Sequence, residues 1–227
     1  MAQSKRIKTL CSLLKATKSF ADVGCDHGYC SEFVLKNGLC ERVIFSDISK
    51  GSLEKAEKLL ASFVESGRAV GVLGDGFFGV PNDTEQVLIA GMGGSEIVSI
   101  LSNERFGFLP KYFVFQPMHD SEKLRRYIIA KGGYIERDFT FFDGKFYDVI
   151  AGKNEKGTGQ VCDYSNAEYE FGKENLKQMP ADFIKKIEKL LKNTEKYLQS
   201  ENLKEESKNE LFEKRERLQG VLRGEIK

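Results

Sequence analysis

The stretch from Asp22 to Tyr29 reads Asp-Val-Gly-Cys-Asp-His-Gly-Tyr, and its carboxylates and glycines are spaced as in a cofactor-binding turn. Glycine lets the backbone approach a ligand closely, and the free amide groups at the start of a following helix face that ligand. A dinucleotide-binding turn has its second glycine where Asp26 stands here. A carboxylate repels a pyrophosphate and attracts a sulfonium or an ammonium group. The stretch therefore favours S-adenosylmethionine over NAD, although a plain tight turn would also use Gly24 and Gly28.

Two further acids follow the next two predicted strands. Asp47 ends the second strand, where an acid can accept hydrogen bonds from both ribose hydroxyls of an adenosyl group. The alternative for Asp47 is an N-cap of the helix that follows. Asp75 follows the third strand in Gly-Asp-Gly and could accept a hydrogen bond from the adenine amino group, or belong to a plain Asp-Gly turn.

The fourth predicted strand leads into Ala-Gly-Met-Gly-Gly, residues 90 to 94. So many glycines cost backbone entropy, which indicates that a ligand approaches the backbone here. In methyltransferases the residues after this strand lie nearest the transferred methyl group. Met92 either lines the cofactor or fills the core.

The fifth predicted strand ends in Gln116-Pro117-Met118-His119, on the edge where open α/β sheets bind ligands. The Gln116 amide can hydrogen-bond the edge of a base. His27 and His119 can each pack, carry a proton or stack on a base. Because the chain has only two histidines, we expect no metal site. The absence of an Asn-Pro-Pro-Tyr box after the fourth strand argues against an exocyclic amine as methyl acceptor and is compatible with a ring nitrogen.

Alternating short β-rich and helical segments must position these residues, and this alternation predicts a doubly wound, mostly parallel sheet. An amphipathic helix with apolar residues at Ile7, Leu10, Leu13 and Leu14 precedes the first strand. The predicted strands are Ser19–Val23, Arg42–Ser46, Ala69–Leu73, Val87–Ala90 and Tyr112–Phe115. The predicted helices between and after them are Tyr29–Lys36, Ser52–Glu65, Ser95–Leu101 and Ser121–Lys131.

An antiparallel hairpin is expected to close the sheet. Tyr134–Phe142 and Lys145–Ala151 are β-rich, and the Asp-Gly between them, residues 143 and 144, is a strong hairpin signal. A parallel sheet closed by such a hairpin is the Rossmann-like arrangement of class I methyltransferases. The hairpin and the acidic turn after the first strand are independent features, and both favour this fold.

Residues 152–160 are polar and predict a linker, followed by two charged helices over Ala181–Leu198 and Leu203–Leu222. These helices predict an α-helical hairpin that resembles a short antiparallel coiled coil. Its apolar seam is thin, so we expect it to lean on the sheet domain or on RNA. Lysines exceed acids by three between positions 177 and 196, which is compatible with RNA binding or with a solvated helix face. We divide the chain into a methyltransferase domain, 1–155, and a helical appendage, 156–227.

Composition sets broader limits on the class of protein. The net charge of the 227 residues is +1, so global charge gives no support for a nucleic-acid partner. A hydrophobic fraction of 41% supports a core, and we expect no membrane span and no signal peptide. The number of cysteines is odd, which favours free thiols in a reducing cytoplasm; they are Cys11, Cys25, Cys30, Cys40 and Cys162.

Taken together and in this order, the motifs resemble the bacterial tRNA (adenine-22-N1)-methyltransferase family across roughly the whole chain. The shared motifs are the turn at 22–29, Gly-Asp-Gly at 74–76, Ile-Ala-Gly-Met-Gly-Gly at 89–94, Gln-Pro at 116–117, Leu-Arg at 124–125 and Gly-Lys-Phe-Tyr at 144–147. The chain departs from the family at Met118, where the family usually has asparagine, and at Gly28, where it has alanine.

The resemblance implies an enzyme that methylates N1 of adenine 22 in tRNA. We expect it to act in the cytoplasm, and we leave its oligomeric state open while favouring a monomer. We also predict roles for particular residues. For catalysis we expect Asp26, which would stabilise the cationic product, and Gln116, which would orient the base. For S-adenosylmethionine we expect Asp22, Gly24, Asp26, His27, Gly28, Asp47, Ile48, Asp75, Gly76, Gly91, Met92 and Gly93. For tRNA we expect Pro117, Met118, His119, Lys185 and Lys189. The alternatives are a methyltransferase for another RNA or a small molecule, and a non-catalytic tRNA-binding adaptor.

Overall fold

A computed structural model describes residues 4–156, 163–200 and 203–226, and Cys162 lies outside these ranges. The strands are β1 (Thr17–Val23), β2 (Cys40–Asp47), β3 (Ala69–Leu73), β4 (Gln86–Met92), β5 (Tyr112–Pro117), β6 (Gly133–Asp143) and β7 (Lys145–Asn154). The helices are α1 (Lys5–Cys11), α2 (Tyr29–Lys36), α3 (Lys50–Leu59), α4 (Ala61–Glu65), α5 (Gly94–Leu101), α6 (Ser121–Ala130), α7 (Asn166–Phe171), α8 (Lys173–Gln178), α9 (Ala181–Leu198) and α10 (Glu205–Leu222).

The seven strands form one sheet in the order β3-β2-β1-β4-β5-β7-β6. The first five are parallel, and β7 lies antiparallel between β5 and β6. From β1 the chain adds β2 and β3 on one side and then crosses from β3 to β4 on the other side of β1, so the carboxyl ends of β1 and β4 form a crevice at the switch point. The predicted fold class is confirmed.

The central strands are buried because helices cover both faces of the sheet. Val87, Leu88 and Ile89 of β4 are all at most 1% exposed, which explains the continuous apolar run in a parallel strand. On one face the core includes Leu10 and Val34 from α1 and α2. On the other face α5 and α6 supply further apolar side chains.

Two predicted helices differ from the structure. The segment 52–65 forms two helices, because Leu60 leaves helical geometry (φ −99°, ψ 10°) while its side chain is fully buried. The first helix ends at Cys11, so Leu13 and Leu14 lie beyond it, although Leu14 is still buried against the core.

The region after β7 is more elaborate than a linker and a hairpin. Residues 152–154, predicted as linker, continue β7, and Gly152 pairs with Phe113 of β5. The short helices α7 and α8 were not predicted. They complete the thin seam of the helical hairpin, since they contribute to a core made of Phe171, Leu176, Phe183, Ile187, Leu218 and Val221.

A buried polar network joins these helices to the sheet. Arg125 of α6 and Asp138 of β6 form an ion pair with side chains 0% and 2% exposed, and Nε of Arg125 donates to both carboxylate oxygens at 2.9 and 3.0 Å. Nη1 of Arg125 also donates to the backbone carbonyl of Tyr169 at the end of α7 (3.0 Å). Asn175 of α8 accepts a hydrogen bond from the backbone N–H of Thr140 on β6 (2.9 Å). The helical region therefore packs on the sheet domain, which is one of the two partners expected for it.

The tip of the β6–β7 hairpin connects α1 to α9. Nζ of Lys5 donates to the backbone carbonyl of Phe142 (2.9 Å) and pairs with Asp182 of α9 (3.3 Å). The Asp182 carboxylate in turn accepts from the backbone N–H of Phe142 (2.9 Å). The backbone N–H of Arg6 donates to the Asp143 carboxylate in the turn (2.8 Å).

Candidate active site

A cavity of about 370 Å³ opens at the carboxyl ends of β1, β2, β3 and β4. Ten of the predicted cofactor residues line it: Asp22, Gly24, Asp26, His27, Asp47, Ile48, Asp75, Gly76, Gly91 and Met92. Gly28 and Gly93 do not line it. An ideal Cβ on Gly28 would lie 3.0 Å from Cβ of Ala56, so this glycine allows α2 to approach α3.

The turn after β1 is held against the end of β2. Gly24, Asp26 and Gly28 all have positive φ (71°, 48° and 72°), a conformation that glycine adopts freely and aspartate tolerates better than most residues. The backbone N–H of Asp26 donates to Oδ2 of Asp47 at 3.1 Å. The N-cap of α3 is Ser49 rather than Asp47, so Asp47 links two loops of the cavity instead of capping the helix.

The side chains of Asp26 and His27 lie together at the cavity mouth. Nδ1 of His27 is 2.9 Å from the Asp26 carboxylate, and the imidazole stacks on Tyr29 with ring centroids 5.5 Å apart. Both side chains are substantially exposed. Asp26 thus lies beside Asp47, at the end of the cavity where we expect the ribose. Its predicted catalytic role stays a prediction.

Asp22 is the most deeply buried acid of the cavity. Its carboxylate accepts a hydrogen bond from Oγ of Ser31 at 2.8 Å. Burial raises the pKa of Asp22 to about 7, although the Ser31 hydrogen bond lowers it and the Arg6 charge lowers it further. A carboxyl with this pKa exchanges its proton near neutral pH, and a bound cation would hold it in the ionised form.

Arg6 of α1 lines the same cavity and was not among the predicted residues. Its Nε donates to Oε1 of Gln116 at 2.8 Å, and its guanidinium carbon lies 5.5 Å from the centre of the Tyr147 ring. An ideal Cβ on Gly91 would lie 2.9 Å from Nη2 of Arg6, so the missing side chain at Gly91 makes room for the guanidinium.

Gln116 does not reach the cavity. It is 0% exposed, and its amide nitrogen donates to the Pro117 carbonyl at 3.0 Å. The same nitrogen lies 3.5 Å from the sulfur of Met118. In this arrangement both ends of the amide are bonded inside the protein, so Gln116 positions Arg6 rather than offering its amide to a base.

A second cavity of about 360 Å³ lies beside the glycine segment and is lined by Pro117, Met118 and His119. His119 packs directly over Gly93, because an ideal Cβ there would lie 2.5 Å from Cε1 of the imidazole. Phe146 of β7 completes one wall. The cavity therefore connects the expected methyl-transfer edge to the tip of the β6–β7 hairpin.

The lysines of α9 divide between two environments. Lys185 and Lys189 are exposed, and Nζ of Lys189 lies 5.9 Å from the centre of the Phe146 ring. Lys186 instead lines the second cavity and binds the Asp148 carboxylate at 2.6 and 2.8 Å. Although Asp148 is buried, Lys186 and other partners hold its pKa well below the usual range.

Glu96 is a further cavity residue that the sequence did not single out. It lies in the first turn of α5, and its carboxylate accepts from the backbone N–H of Gly93 at 3.3 Å. Acidic residues are common in the first turn of a helix, where they complement the helix dipole, so no special role was predicted for Glu96. The structure nevertheless places this carboxylate on the cavity wall, next to the glycine segment.

Within 4–156, 163–200 and 203–226, no group of histidine, cysteine and acidic side chains could hold a metal ion. Over the same ranges, no helix is both long and apolar enough to cross a bilayer.

The sheet order, the closing hairpin and a cavity at the switch point together define a class I methyltransferase fold. Solved structures agree. M. capricolum TrmK, in complex with S-adenosyl-homocysteine, has a TM-score of 0.87 at 20% identity over 100% of both chains. The B. subtilis m1A22 tRNA methyltransferase TrmK has a TM-score of 0.82 at 22% identity, over 97% of this chain and 99% of that one.

Sequence comparison identifies the family. Residues 20–220 match the family model for tRNA (adenine(22)-N(1))-methyltransferase, and the chain belongs to that family. A protein of Mycoplasma pneumoniae described as a candidate tRNA methyltransferase is 35% identical over 131 residues, which is 56% of this chain. The match spans 59% of that relative's length. The predicted family and the predicted class of enzyme are confirmed.

Proposed function

We propose that this protein transfers a methyl group from S-adenosylmethionine to N1 of adenine 22 in tRNA. The observation that carries the proposal is the family match over residues 20–220, together with a cavity whose predicted cofactor residues converge at the switch point of the sheet. S-adenosylmethionine supplies an electrophilic methyl group at its sulfonium sulfur, and N1 of adenine has a free lone pair to accept it.

The residues of the cavity suit this cofactor. Asp47 accepts from the ribose hydroxyls and Asp75 from the adenine amino group, as acids at these strand ends can. Gly24 and Gly91 keep the backbone free of side chains where the cofactor lies closest. The acids that line the cavity favour a ligand with sulfonium and ammonium charges, and they disfavour a pyrophosphate.

Adenine N1 needs no general base to begin the reaction, so the protein's contribution is to hold the base and to stabilise the positive charge that develops on it. We propose two carboxylates for this charge. Asp26 lies at the mouth of the cavity beside His27, and Glu96 lies beside Gly93. Gln116 acts through Arg6 as a positioning residue.

Methyl-transfer kinetics separate the two carboxylates. A residue that stabilises the product charge lowers kcat when it is replaced by its amide, and it changes the KM for tRNA little. We therefore compare Asp26→Asn with Glu96→Gln under saturating cofactor. A variant with normal kcat removes that carboxylate from the mechanism.

The tip of the β6–β7 hairpin supports a docking surface for tRNA. Phe142 is 43% exposed and packs against Phe146 with ring centroids 5.1 Å apart. Lys189 and Lys185 lie nearby on α9, so the surface combines aromatic rings with positive charge. Aromatic rings stack on unpaired bases while lysines bind phosphates, and the target adenine must leave its stack to reach the cavity. We also expect the protein to act in the cytoplasm and as a monomer.

The decisive experiment combines purified protein, radiolabelled S-adenosylmethionine and unmodified bacterial tRNA, followed by nucleoside analysis. We expect 1-methyladenosine, and we expect it to disappear when adenine 22 of the tRNA is replaced by guanine. Formation of 1-methyladenosine in the tRNA with guanine at position 22 would mean that the enzyme methylates another nucleotide. No incorporation, with cofactor binding intact, would favour another RNA or a small-molecule substrate and would make Met118→Asn the first variant to test.

A further inference from the structure

His119 lies on the wall between the two cavities, at the expected methyl-transfer edge. The backbone N–H of Gly93 binds the Glu96 carboxylate, which lines the cofactor cavity. The His119 imidazole lines the second cavity, and an ideal Cβ on Gly93 would lie 2.9 Å from its Nε2. The backbone carbonyl of His119 accepts a hydrogen bond from the N–H of Gly94 (2.8 Å). The residue is thus held against the glycine segment, while 69% of its side chain is exposed to a ligand.

Asp120 determines which nitrogen of this imidazole is presented to a ligand. Nδ1 of His119 lies 3.3 Å from Oδ2 of Asp120. The same oxygen accepts a hydrogen bond from Oγ of Ser95 (2.7 Å) and lies 3.9 Å from Nζ of Lys123. The Ser95 hydrogen bond is the main cause that holds the pKa of Asp120 below its usual range, so its carboxylate is ionised and can only accept. Because a neutral imidazole has one donor and one acceptor, a ring that donates from Nδ1 keeps an acceptor at Nε2.

The residues before His119 offer no comparable group to a base. The amide of Gln116 is bonded inside the protein, and Pro117 has an apolar ring. Met118 stands where the related family usually has asparagine, and its sulfur lies 3.5 Å from the Gln116 amide nitrogen. Among residues 116–119, which the structure describes in full, Nε2 of His119 is therefore the polar side-chain atom that faces a ligand.

The chemistry of the acceptor base fits this nitrogen. In adenine the exocyclic amine lies next to N1, so a base that directs N1 to the cofactor also presents the amine to the surrounding wall. The amine donates hydrogen bonds, whereas guanine has an accepting oxygen at the same position. When N1 is methylated, the positive charge spreads to the amine. A hydrogen bond from the amine to an acceptor therefore strengthens in the transition state.

We propose that Nε2 of His119 accepts a hydrogen bond from the exocyclic amine of the target adenine, and that Asp120 is the positioning residue that holds the ring for this contact. His119 then selects adenine over guanine and lowers the barrier to methyl transfer. This assignment deepens the proposed function and rests on it, since it takes adenine 22 of tRNA as the methyl acceptor.

The test combines variants of His119 with two tRNAs that differ in one amine. One tRNA has adenine at position 22, and the other has unsubstituted purine there, which keeps N1 and lacks the amine. His119→Phe keeps an aromatic ring without the acceptor. We expect it to lower kcat for the adenine tRNA about 3- to 10-fold, as the loss of one hydrogen bond does, and to change kcat for the purine tRNA less than about twofold. His119→Gln is the matched control, because it keeps an acceptor oxygen and should retain most of the adenine rate.

Asp120→Asn tests the positioning role. Asp120 has a positive φ of 56°, which asparagine also tolerates, so the backbone is preserved. Since an amide can donate as well as accept, it no longer fixes the donor at Nδ1 of His119. We expect kcat to fall for the adenine tRNA and to change little for the purine tRNA, a selectivity that a merely structural role would not produce. Calorimetric titration of S-adenosyl-homocysteine checks that each variant keeps its cofactor cavity.

Three results would overturn the proposal. Equal losses of kcat for both tRNAs in His119→Phe would mean that the residue supports the edge or the base without binding the amine. Normal kcat for both tRNAs would remove His119 from the recognition of the target. A raised KM for both tRNAs with normal kcat would place His119 on another part of the RNA. Failure of the proposed function is a separate outcome, because in that case the unmodified protein does not methylate the adenine tRNA.

Discussion

The buried carboxyl of Asp22 makes cofactor binding depend on pH in a direction that can be calculated. Burial raises its pKa to about 7, and we expect the cofactor's ammonium group to bind the ionised form. The apparent affinity is then the intrinsic affinity multiplied by the ionised fraction. That fraction is roughly 0.03 at pH 5.5 and roughly 0.5 at pH 7, so the affinity rises about 15-fold over this range.

Calorimetric titration of S-adenosyl-homocysteine between pH 5.5 and 7 measures this change. The range ends at 7, where about half of the Asp22 carboxyl is ionised. Asp22→Asn should give a flat profile. Ser31→Ala should move the midpoint to higher pH, because the hydroxyl hydrogen bond lowers the pKa of Asp22.

Two charged groups near Asp22 shift its pKa in opposite directions. Asp47 raises its pKa and Arg6 lowers it, so Arg6→Ala should move the midpoint up as well. His27 also lines the cavity, so His27→Asn is the control that assigns the transition to Asp22. An affinity that stays constant between pH 5.5 and 7, or that falls as pH rises, would refute the reasoning.

Three further predictions concern the helices and the second cavity. Arg125→Met removes the ion-pair partner of the buried Asp138 carboxylate, so we expect a loss of about 3–5 kcal/mol in urea unfolding, with part of it recovered when Asp138→Leu is added. A loss below about 1 kcal/mol would contradict a stabilising role of the buried pair. Met118→Asn should leave the affinity for S-adenosyl-homocysteine unchanged and alter kcat/KM for tRNA. A change in cofactor affinity would count against a contact between Met118 and the RNA. Replacing Lys185 and Lys189 together by glutamate should raise the KM for tRNA and reduce the slope of log affinity against log salt concentration by roughly two. An unchanged slope would mean that α9 does not contact the RNA.

Point variants test whether the helical hairpin binds RNA better than removal of the whole hairpin does. Arg125 donates to backbone carbonyls of α7, and the Asn175 side chain of α8 accepts a hydrogen bond from a backbone N–H of β6. Deleting everything after residue 160 would leave these buried groups without partners, which costs stability whatever the substrate is. Loss of activity in such a deletion would therefore not distinguish a tRNA enzyme from a small-molecule enzyme.

Sequence patterns were most informative where local chemistry is specific. The alternation of strands and helices and the Asp-Gly turn predicted the sheet and its closing hairpin, because turn chemistry and periodicity are local properties. The acids at 22, 26, 47 and 75 were found because each lies at the carboxyl end of a predicted strand or shortly after it, and the carboxyl ends of parallel strands meet at one edge of a sheet.

The residues that were missed depend on contacts distant in sequence. Arg6 reaches the cavity through Gln116, 110 positions away, and no local pattern distinguishes it from other basic residues of α1. The short helices α7 and α8 are held by the buried Arg125 and Asn175 hydrogen bonds rather than by strong helical periodicity. Gln116 follows a predicted strand end, but only the folded structure reveals that its amide is bonded inside the protein.

The contact between Lys5 and Asp182 joins two segments of the chain that are synthesised at different times. The two residues are 177 positions apart, so at 5–20 residues per second the ribosome adds Asp182 about 10 to 35 s after Lys5. Until then α1 lacks one of its anchors, and the cavity wall that Arg6 completes is not yet held from both sides. We therefore expect a growing chain to bind S-adenosylmethionine more weakly before α9 has emerged than after it.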